Sequence, residues 1–78
     1  MILKLKYFGM IAEAVGKENE EFECANSSVE ELNIALKNKY AKLASMNYKI
    51  AVNQSFVEPT TLLKDNDEIA LLPPFAGG

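Results

Sequence analysis

Hydrophobic and polar residues alternate in several short segments of this chain. In residues 2–8, ILKLKYF, the side chains of Leu3, Leu5 and Tyr7 face one side of a predicted strand, and Phe8 faces the other side with the lysines. Later segments also show strand patterns: residues 19–24, 48–53, 55–57 and 68–72. The pattern therefore predicts four strands and a fifth, shorter one at 55–57.

A helix is predicted between the second and third strands. Ser28 precedes an apolar run and Glu31 follows three residues later, which is the pattern of a capping box. Apolar and aromatic residues then recur at helical spacing: Val29, Leu32, Leu36, Tyr40 and Leu43. We expect a helix over 28–40, a frayed turn over 41–46, and a short helical turn over 10–15 that Gly16 ends.

The order of these elements is strand, strand, helix, strand, short strand, strand. A single helix of about 13 residues covers one face of a small mixed sheet and leaves the other face open. This order predicts an α+β, β-grasp (ubiquitin-like) fold with a mixed sheet of about five strands. We expect residues 1–72 to form this domain, residues 73–78 to form a flexible, extended tail, and Asn66 to adopt a positive φ in the preceding turn.

Composition excludes several classes of function. The 78 residues carry a net charge of −3, which argues against a nucleic-acid-binding face and against binding to an anionic membrane. The chain has no His and one Cys, so a structural zinc site and His-based catalysis are excluded. A single cysteine favours a reducing cytoplasm, and the N-terminal segment is too short and too alternating for a secretory signal.

Several polar and aromatic residues have a plain structural interpretation. Cys24 is expected to be a small buried residue of a strand. Tyr40 and Tyr48 are expected to pack rather than to recognise a ligand. The acidic residues of the second strand region are interpreted as a solvated strand and loop: Glu18, Glu20, Glu21 and Glu23.

The end of the sequence, LPPFAGG from residue 72 to residue 78, carries the most information about function. Each residue before a proline is biased toward extended geometry, so Pro73 and Pro74 project the tail away from the sheet. Gly77 and Gly78 have no Cβ, so a partner can pass them through a narrow channel. We expect the last chemical group of the chain to be the free α-carboxylate of Gly78.

Taken together, these residues resemble the small subunit of molybdopterin synthase, the MoaD family of ubiquitin-like sulfur carriers. The resemblance covers the whole chain, and its most specific parts are the last two of five segments. These segments are Tyr7-Phe8, residues 28–32, residues 51–54, residues 63–70 and the PPFAGG end.

The resemblance implies a cycle of chemistry at Gly78. An activating enzyme (MoeB-like) uses ATP to adenylate the carboxylate of Gly78. A sulfur-donating enzyme then supplies sulfur in place of AMP, which gives a thiocarboxylate. The large subunit (MoaE-like) receives the tail and supplies the catalytic side chains. Sulfur passes to cyclic pyranopterin monophosphate, and two deliveries build the dithiolene. The tail residues expected in the channel are Pro73, Pro74, Phe75, Ala76 and Gly77. No metal and no stably bound cofactor is implied.

An apolar patch is expected on the open face of the sheet. Strand alternation turns Phe8 and Leu72 away from the helix, on two strands that are adjacent in a β-grasp sheet. The face on which Phe56 lies depends on the position of the turn that begins near Asn53-Gln54. Such a patch suggests a partner site, although scattered surface hydrophobes are also common. The resemblance implies that Phe8, Phe56 and Leu72 meet the large subunit.

Two positions depart from the family pattern. Asn66 stands where relatives often have Gly. Ala12 stands where many relatives have Arg, which puts any ion pair from residue 12 in doubt.

Three other functions stay open. They are a sulfur carrier of another pathway, such as thiamine thiazole synthesis, a ubiquitin-like modifier joined to target lysines, and an interaction domain with an inert tail.

Overall fold

Five strands and two α-helices form in the order that the sequence pattern predicts. The structure, a computed structural model, describes residues 1–74. Its elements are β1 (Ile2–Tyr7), α1 (Met10–Val15), β2 (Asn19–Glu23), α2 (Val29–Lys39), a 3-10 helix (Ala41–Ser45), β3 (Lys49–Val52), β4 (Ser55–Phe56) and β5 (Glu68–Leu72). Across residues 1–74, every helix is too short or too polar to cross a membrane.

The five strands form one mixed sheet in the order β2-β1-β5-β3-β4. β1 runs parallel to β5, with Leu5 opposite Ile69 and Tyr7 opposite Leu71, and the other pairs are antiparallel. The two central strands therefore come from opposite ends of the sequence. This sheet with one main helix is the β-grasp arrangement, so the predicted fold class is confirmed.

One hydrophobic core fills the space between the sheet and α2. The helix contributes Val29, Leu32 and Leu36, and the sheet contributes the inward residues of its central strands: Leu3, Leu5, Tyr7, Ile69 and Leu71. Most of these side chains lose all or nearly all of their exposure. Burial of such side chains stabilises a domain by about 1.5–3 kcal/mol each, so this core is what holds the open face in shape.

Both ends of α2 form as the sequence indicates. The Ser28 hydroxyl accepts a hydrogen bond of 3.2 Å from the Glu31 N–H, and the Glu31 carboxylate accepts one of 2.9 Å from the Ser28 N–H. Tyr40 is the C-cap residue, so the helix predicted over 28–40 is confirmed with its two caps included. The segment predicted as a frayed turn is instead a 3-10 helix, because Leu43 is fully buried and holds it against the core.

Four predicted strands are longer than the observed ones by one or two residues. β1 and β2 end before Phe8 and Cys24, which still donate one backbone hydrogen bond each, to Leu71 and Met1. β3 ends at Val52 because Asn53 already has a positive φ of 49°. β5 spans 68–72 as predicted, and Asn66 has the expected positive φ, 69°.

Candidate functional site at the open face and the tail root

β5 carries the residues that connect the core to the tail. Ile69 and Leu71 point into the core and are fully buried, so Ala70 and Leu72 lie on the opposite, open face. The Phe8 N–H donates a hydrogen bond of 3.3 Å to the Leu71 carbonyl. This bond continues the contact between the chain segments of β1 and β5 to the point where the tail begins.

An apolar patch lies on the open face of the sheet. It consists of Phe8, Phe56 and Leu72 together with Ala51 and Ala70, and we call it the open-face patch. Phe8 and Phe56 are 43% and 66% exposed. Together with Ala51 and Ala70, the three larger residues line a shallow depression of about 350 Å³. Ala51 is itself buried, because it is paired with Ala70 on one side and with Phe56 on the other.

The turn between β3 and β4 decides the position of Phe56. Asn53 and Gln54 both have positive φ, 49° and 70°, which is the backbone of a tight two-residue hairpin turn. Val52 then pairs with Ser55, and Ala51 with Phe56. Cross-strand partners share a face, so Phe56 joins Ala51 on the open face. The sequence alone did not decide the face on which Phe56 lies, and the observed turn places it on the open face.

Charged side chains lie next to the residues of the open-face patch. Lys6 and Glu68 form an ion pair, with 2.9 Å between Nζ and Oε1, and both side chains also line the depression. Lys49 Nζ lies 5.7 Å from the centre of the Phe56 ring, within the range of a cation–π contact. The open face therefore combines apolar and charged side chains, as protein interfaces commonly do.

The tail root, Pro73 and Pro74, leaves the sheet directly after the patch. Pro73 is half-buried and Pro74 is exposed. Both line a second depression, of about 340 Å³, with Met10, Ile11 and Met46. The predicted tail residues Phe75, Ala76, Gly77 and Gly78 lie outside the described residues.

Glu20 is a residue whose environment the sequence interpretation missed. The sequence pattern predicts a solvated carboxylate here, but the Glu20 side chain is only 10% exposed. Its Oε2 accepts hydrogen bonds of 2.5 Å from the hydroxyls of Tyr7 and Tyr40, and its Oε1 lies 3.2 Å from Lys39 Nζ. Strand alternation contained the signal, because Glu20 shares its face with the half-buried Phe22.

These contacts change the pKa of Glu20 and that of Tyr7. Burial alone would raise the pKa of Glu20, but the hydrogen bonds from Tyr40, Tyr7 and Lys39 outweigh it and lower the pKa from 4.5 to about 2. Burial and the hydrogen bond to Glu20 raise the pKa of Tyr7 above its usual value. The cluster ties β2 to β1 and to the end of α2, so its role is structural.

The remaining residues with a plain interpretation are found in packing positions. The expectation of a buried strand residue is wrong for Cys24, which is half-buried at the edge of the core because β2 ends one residue before it. Tyr40 and Tyr48 also pack against the core, and the Tyr48 hydroxyl donates a hydrogen bond to Asn33. Ala12 is half-buried beside the core.

Comparison of the sequence with known proteins finds a matching family and a named relative. The model of the ThiS family matches residues 5–78. A relative from Mycobacterium tuberculosis, named molybdopterin synthase sulfur carrier subunit, is 38% identical over 76 residues, with 92% of each chain covered.

Solved structures extend the likeness to the fold. A protein from Pyrococcus furiosus, described as a molybdopterin converting factor subunit 1, has a TM-score of 0.91 at 27% identity, with 95% of this chain and 98% of that one covered. A complex of subunits 1 and 2 of the molybdopterin-converting factor from Helicobacter pylori matches with a TM-score of 0.70 at 30% identity over the full length of both chains. The small archaeal modifier protein 1 from Methanosarcina acetivorans matches with a TM-score of 0.79 at 27% identity over 99% of this chain and 96% of that one.

The family match spans residues 5–78, which is nearly the whole chain. The chain belongs to the ThiS family, and its relatives include molybdopterin synthase sulfur carrier subunits.

Proposed function

We propose that this chain is the sulfur-carrier subunit of a molybdopterin synthase and acts through the carboxylate of Gly78. The observation that carries the proposal is the continuity of the open-face patch with the tail root. Leu72 belongs to the patch, and Pro73, the next residue, begins the tail. A partner that binds the patch is therefore brought directly to the start of the tail.

The chemistry proposed at Gly78 is activation followed by sulfur transfer. A carboxylate has no good leaving group, so an activating enzyme joins it to AMP from ATP and releases pyrophosphate. Sulfur from a sulfur-donating enzyme then replaces AMP, and the product is a C-terminal thiocarboxylate. The side chains of this domain take no part in these steps, which agrees with its lack of His and its half-buried single cysteine.

The second half of the cycle takes place in the partner. The tail from Phe75 to Gly78 enters the active site of the large subunit, where the thiocarboxylate gives its sulfur to cyclic pyranopterin monophosphate. Two deliveries complete the dithiolene, and the large subunit supplies the catalytic groups. The similarity to the Helicobacter pylori complex of two subunits supports a partner of this kind.

A second candidate function is that of a ubiquitin-like modifier joined to target lysines through Gly78. The similarity to the small archaeal modifier protein 1 supports it. Both functions begin with the activation of the same carboxylate, and they differ in the nucleophile that follows. A sulfur donor leads to a carrier, whereas a lysine amine leads to a conjugate.

Reconstitution with variants of the chain end tests the proposal. Deletion of Gly78 moves the terminal carboxylate back by up to about 3.6 Å, and a misplacement of about 1 Å can already cost 10²-fold in rate. The deletion variant should fold and bind the large subunit but give almost no molybdopterin with the precursor and a sulfur-loading system. One residue added after Gly78 should fail in the same way, because the reactive group becomes an amide. Wild-type rates from either variant would contradict the proposal.

A further inference from the structure

The turn between β1 and α1 lies directly against the tail root. A Cβ on Gly9 would lie 3.2 Å from Cγ of Pro73, which is closer than nine in ten real contacts of a Cβ, so the ring would have to shift by a few tenths of an ångström. Gly9 also has a φ of 57° and a ψ of −133°, a conformation that residues with a side chain rarely adopt. The absence of a side chain at residue 9 therefore allows the Pro73 ring to pack against the backbone of this turn.

This contact is placed where the sheet no longer holds the chain. Within residues 1–74, the last backbone bond between the two central segments joins the Phe8 N–H to the Leu71 carbonyl. Pro73 has no N–H and cannot continue the ladder. Beyond Leu72, the Pro73 ring lies next to Gly9, and Pro73 lines the depression that also includes Met10 and Met46.

We propose that Gly9 is a positioning residue for sulfur transfer, because it sets the point and the direction in which the tail leaves the domain. The inference rests on the proposed function of Gly78. Gly78 lies five residues after Pro73, a reach of up to about 18 Å when extended. The rings of Pro73 and Pro74 fix two φ angles, so a shift of the Pro73 ring is passed on to the residues that follow.

A pair of glycines in the same chain provides the test and its control. Gly16 also has a positive φ, 91°, but among residues 1–74 nothing lies within 4 Å of the Cβ that it would gain. Gly9→Ala introduces backbone strain together with the contact to Pro73, whereas Gly16→Ala introduces strain alone. Each variant is loaded as the thiocarboxylate and mixed with the large subunit and the precursor, and single-turnover sulfur transfer is measured at saturating partner.

The expected result separates transfer from binding. Gly9→Ala should slow transfer at saturation by about tenfold or more, in line with the sensitivity of rate to misplacement. Its affinity for the large subunit, measured by calorimetry, should stay within about threefold of wild type, because the open-face patch is unchanged. Gly16→Ala should transfer at the wild-type rate. Equal rates for the two variants, or a loss in Gly9→Ala explained by weaker binding alone, would overturn the positioning role.

A double-mutant cycle isolates the contact from the strain. Pro73→Ala removes the ring and leaves the turn of Gly9 unstrained, so it should itself slow transfer without loss of the fold. In that background Gly9→Ala should slow transfer little further, because Cγ is gone, whereas the backbone strain at residue 9 should lower the stability equally in both backgrounds. Additive losses, or wild-type transfer by Pro73→Ala, would contradict the inference. If the wild-type protein transfers no sulfur at all, the proposed function fails, whereas normal wild-type transfer with equal glycine variants removes the positioning role alone.

Discussion

The Tyr40 hydroxyl donates a hydrogen bond of 2.5 Å to the carboxylate of Glu20, twenty residues earlier in the chain. Tyr40 caps the end of α2 and Glu20 lies on the edge strand β2. The bond therefore joins the main helix to the edge of the sheet. Because the carboxylate is nearly buried and stays ionised, the stability of the domain depends on this charge and on its partners.

Glu20→Gln should destabilise the domain by about 2 kcal/mol at neutral pH, since a hydrogen-bonded charged acceptor is replaced by a neutral one. The loss is measured by urea unfolding. Glu21→Gln is the matched control, because its exposed side chain alternates to the opposite face, and its stability should equal that of wild type. Equal stabilities of the two variants would show that the Glu20 cluster contributes nothing.

The same cluster predicts a pH dependence. The pKa of Glu20 is lowered from 4.5 to about 2 in the folded protein. Its stabilising contribution is therefore complete above about pH 4.5 and is lost as the pH falls toward 2, because the unfolded chain takes up the proton first. Urea unfolding of the wild type and of Glu20→Gln is measured from pH 6 to pH 2.5. The free energies of unfolding of the two proteins should converge as the pH falls. A constant difference between them would contradict the shifted pKa.

Gln54→Gly should stabilise the domain by about 1 kcal/mol. Gln54 has a φ of 70° in the turn between β3 and β4, and this region costs a residue with a side chain about 1–2 kcal/mol. Thermal or urea unfolding measures the gain. Gln54→Val is the opposing variant and should lose stability, because a β-branched side chain resists this conformation. A destabilised glycine variant would indicate that the Gln54 side chain makes a contact worth more than the strain.

Alternation and local turn chemistry explain most of what the sequence predicts correctly. The opposite facing of Tyr7 and Phe8 follows from the two-residue period, and the capping box places the start of α2. Glu20 was missed because an acid in a polar run is usually exposed, and its partners Tyr7 and Tyr40 are distant in sequence. These partners become neighbours only when β2 and α2 have packed.

The face of Phe56 and the contact between Gly9 and Pro73 were beyond sequence reasoning for a similar reason. A shift of one residue in the Asn53-Gln54 turn would have moved Phe56 to the other face. The approach of Pro73 to Gly9 depends on the parallel pairing of the first and last strands. A pairing between the two ends of a chain leaves no local pattern in either segment.

Phe56→Asp should weaken binding to the large subunit by about 2 kcal/mol or more, roughly 30-fold, if the open-face patch forms the centre of the interface. The side chain is 66% exposed, so the domain should remain folded by circular dichroism. Leu62→Asp is the control, because Leu62 is 73% exposed and lies outside the patch. Calorimetry should find its affinity unchanged, and equal losses for both variants would contradict the patch as the docking surface.

Gly77→Val should leave the domain folded, since β5, the last strand, ends at Leu72, five residues earlier. It should lower adenylation or sulfur transfer by about 10²-fold, because a β-branched side chain is bulky and stiffens the backbone next to the reactive carboxylate. Release of pyrophosphate measures adenylation and single-turnover assays measure transfer. Ala25→Val, on an exposed loop, is the control. Normal rates for Gly77→Val would mean that the channel is wide enough for a side chain.

The central claim is that the chain carries sulfur on the carboxylate of Gly78. Its most direct test is the intact mass of the protein purified from its native cells, with fragmentation to locate any added mass. The account predicts a population heavier by the difference between one sulfur and one oxygen atom, with the change at Gly78. A protein found only as the unmodified chain, or found joined through Gly78 to lysines of other proteins, would contradict it.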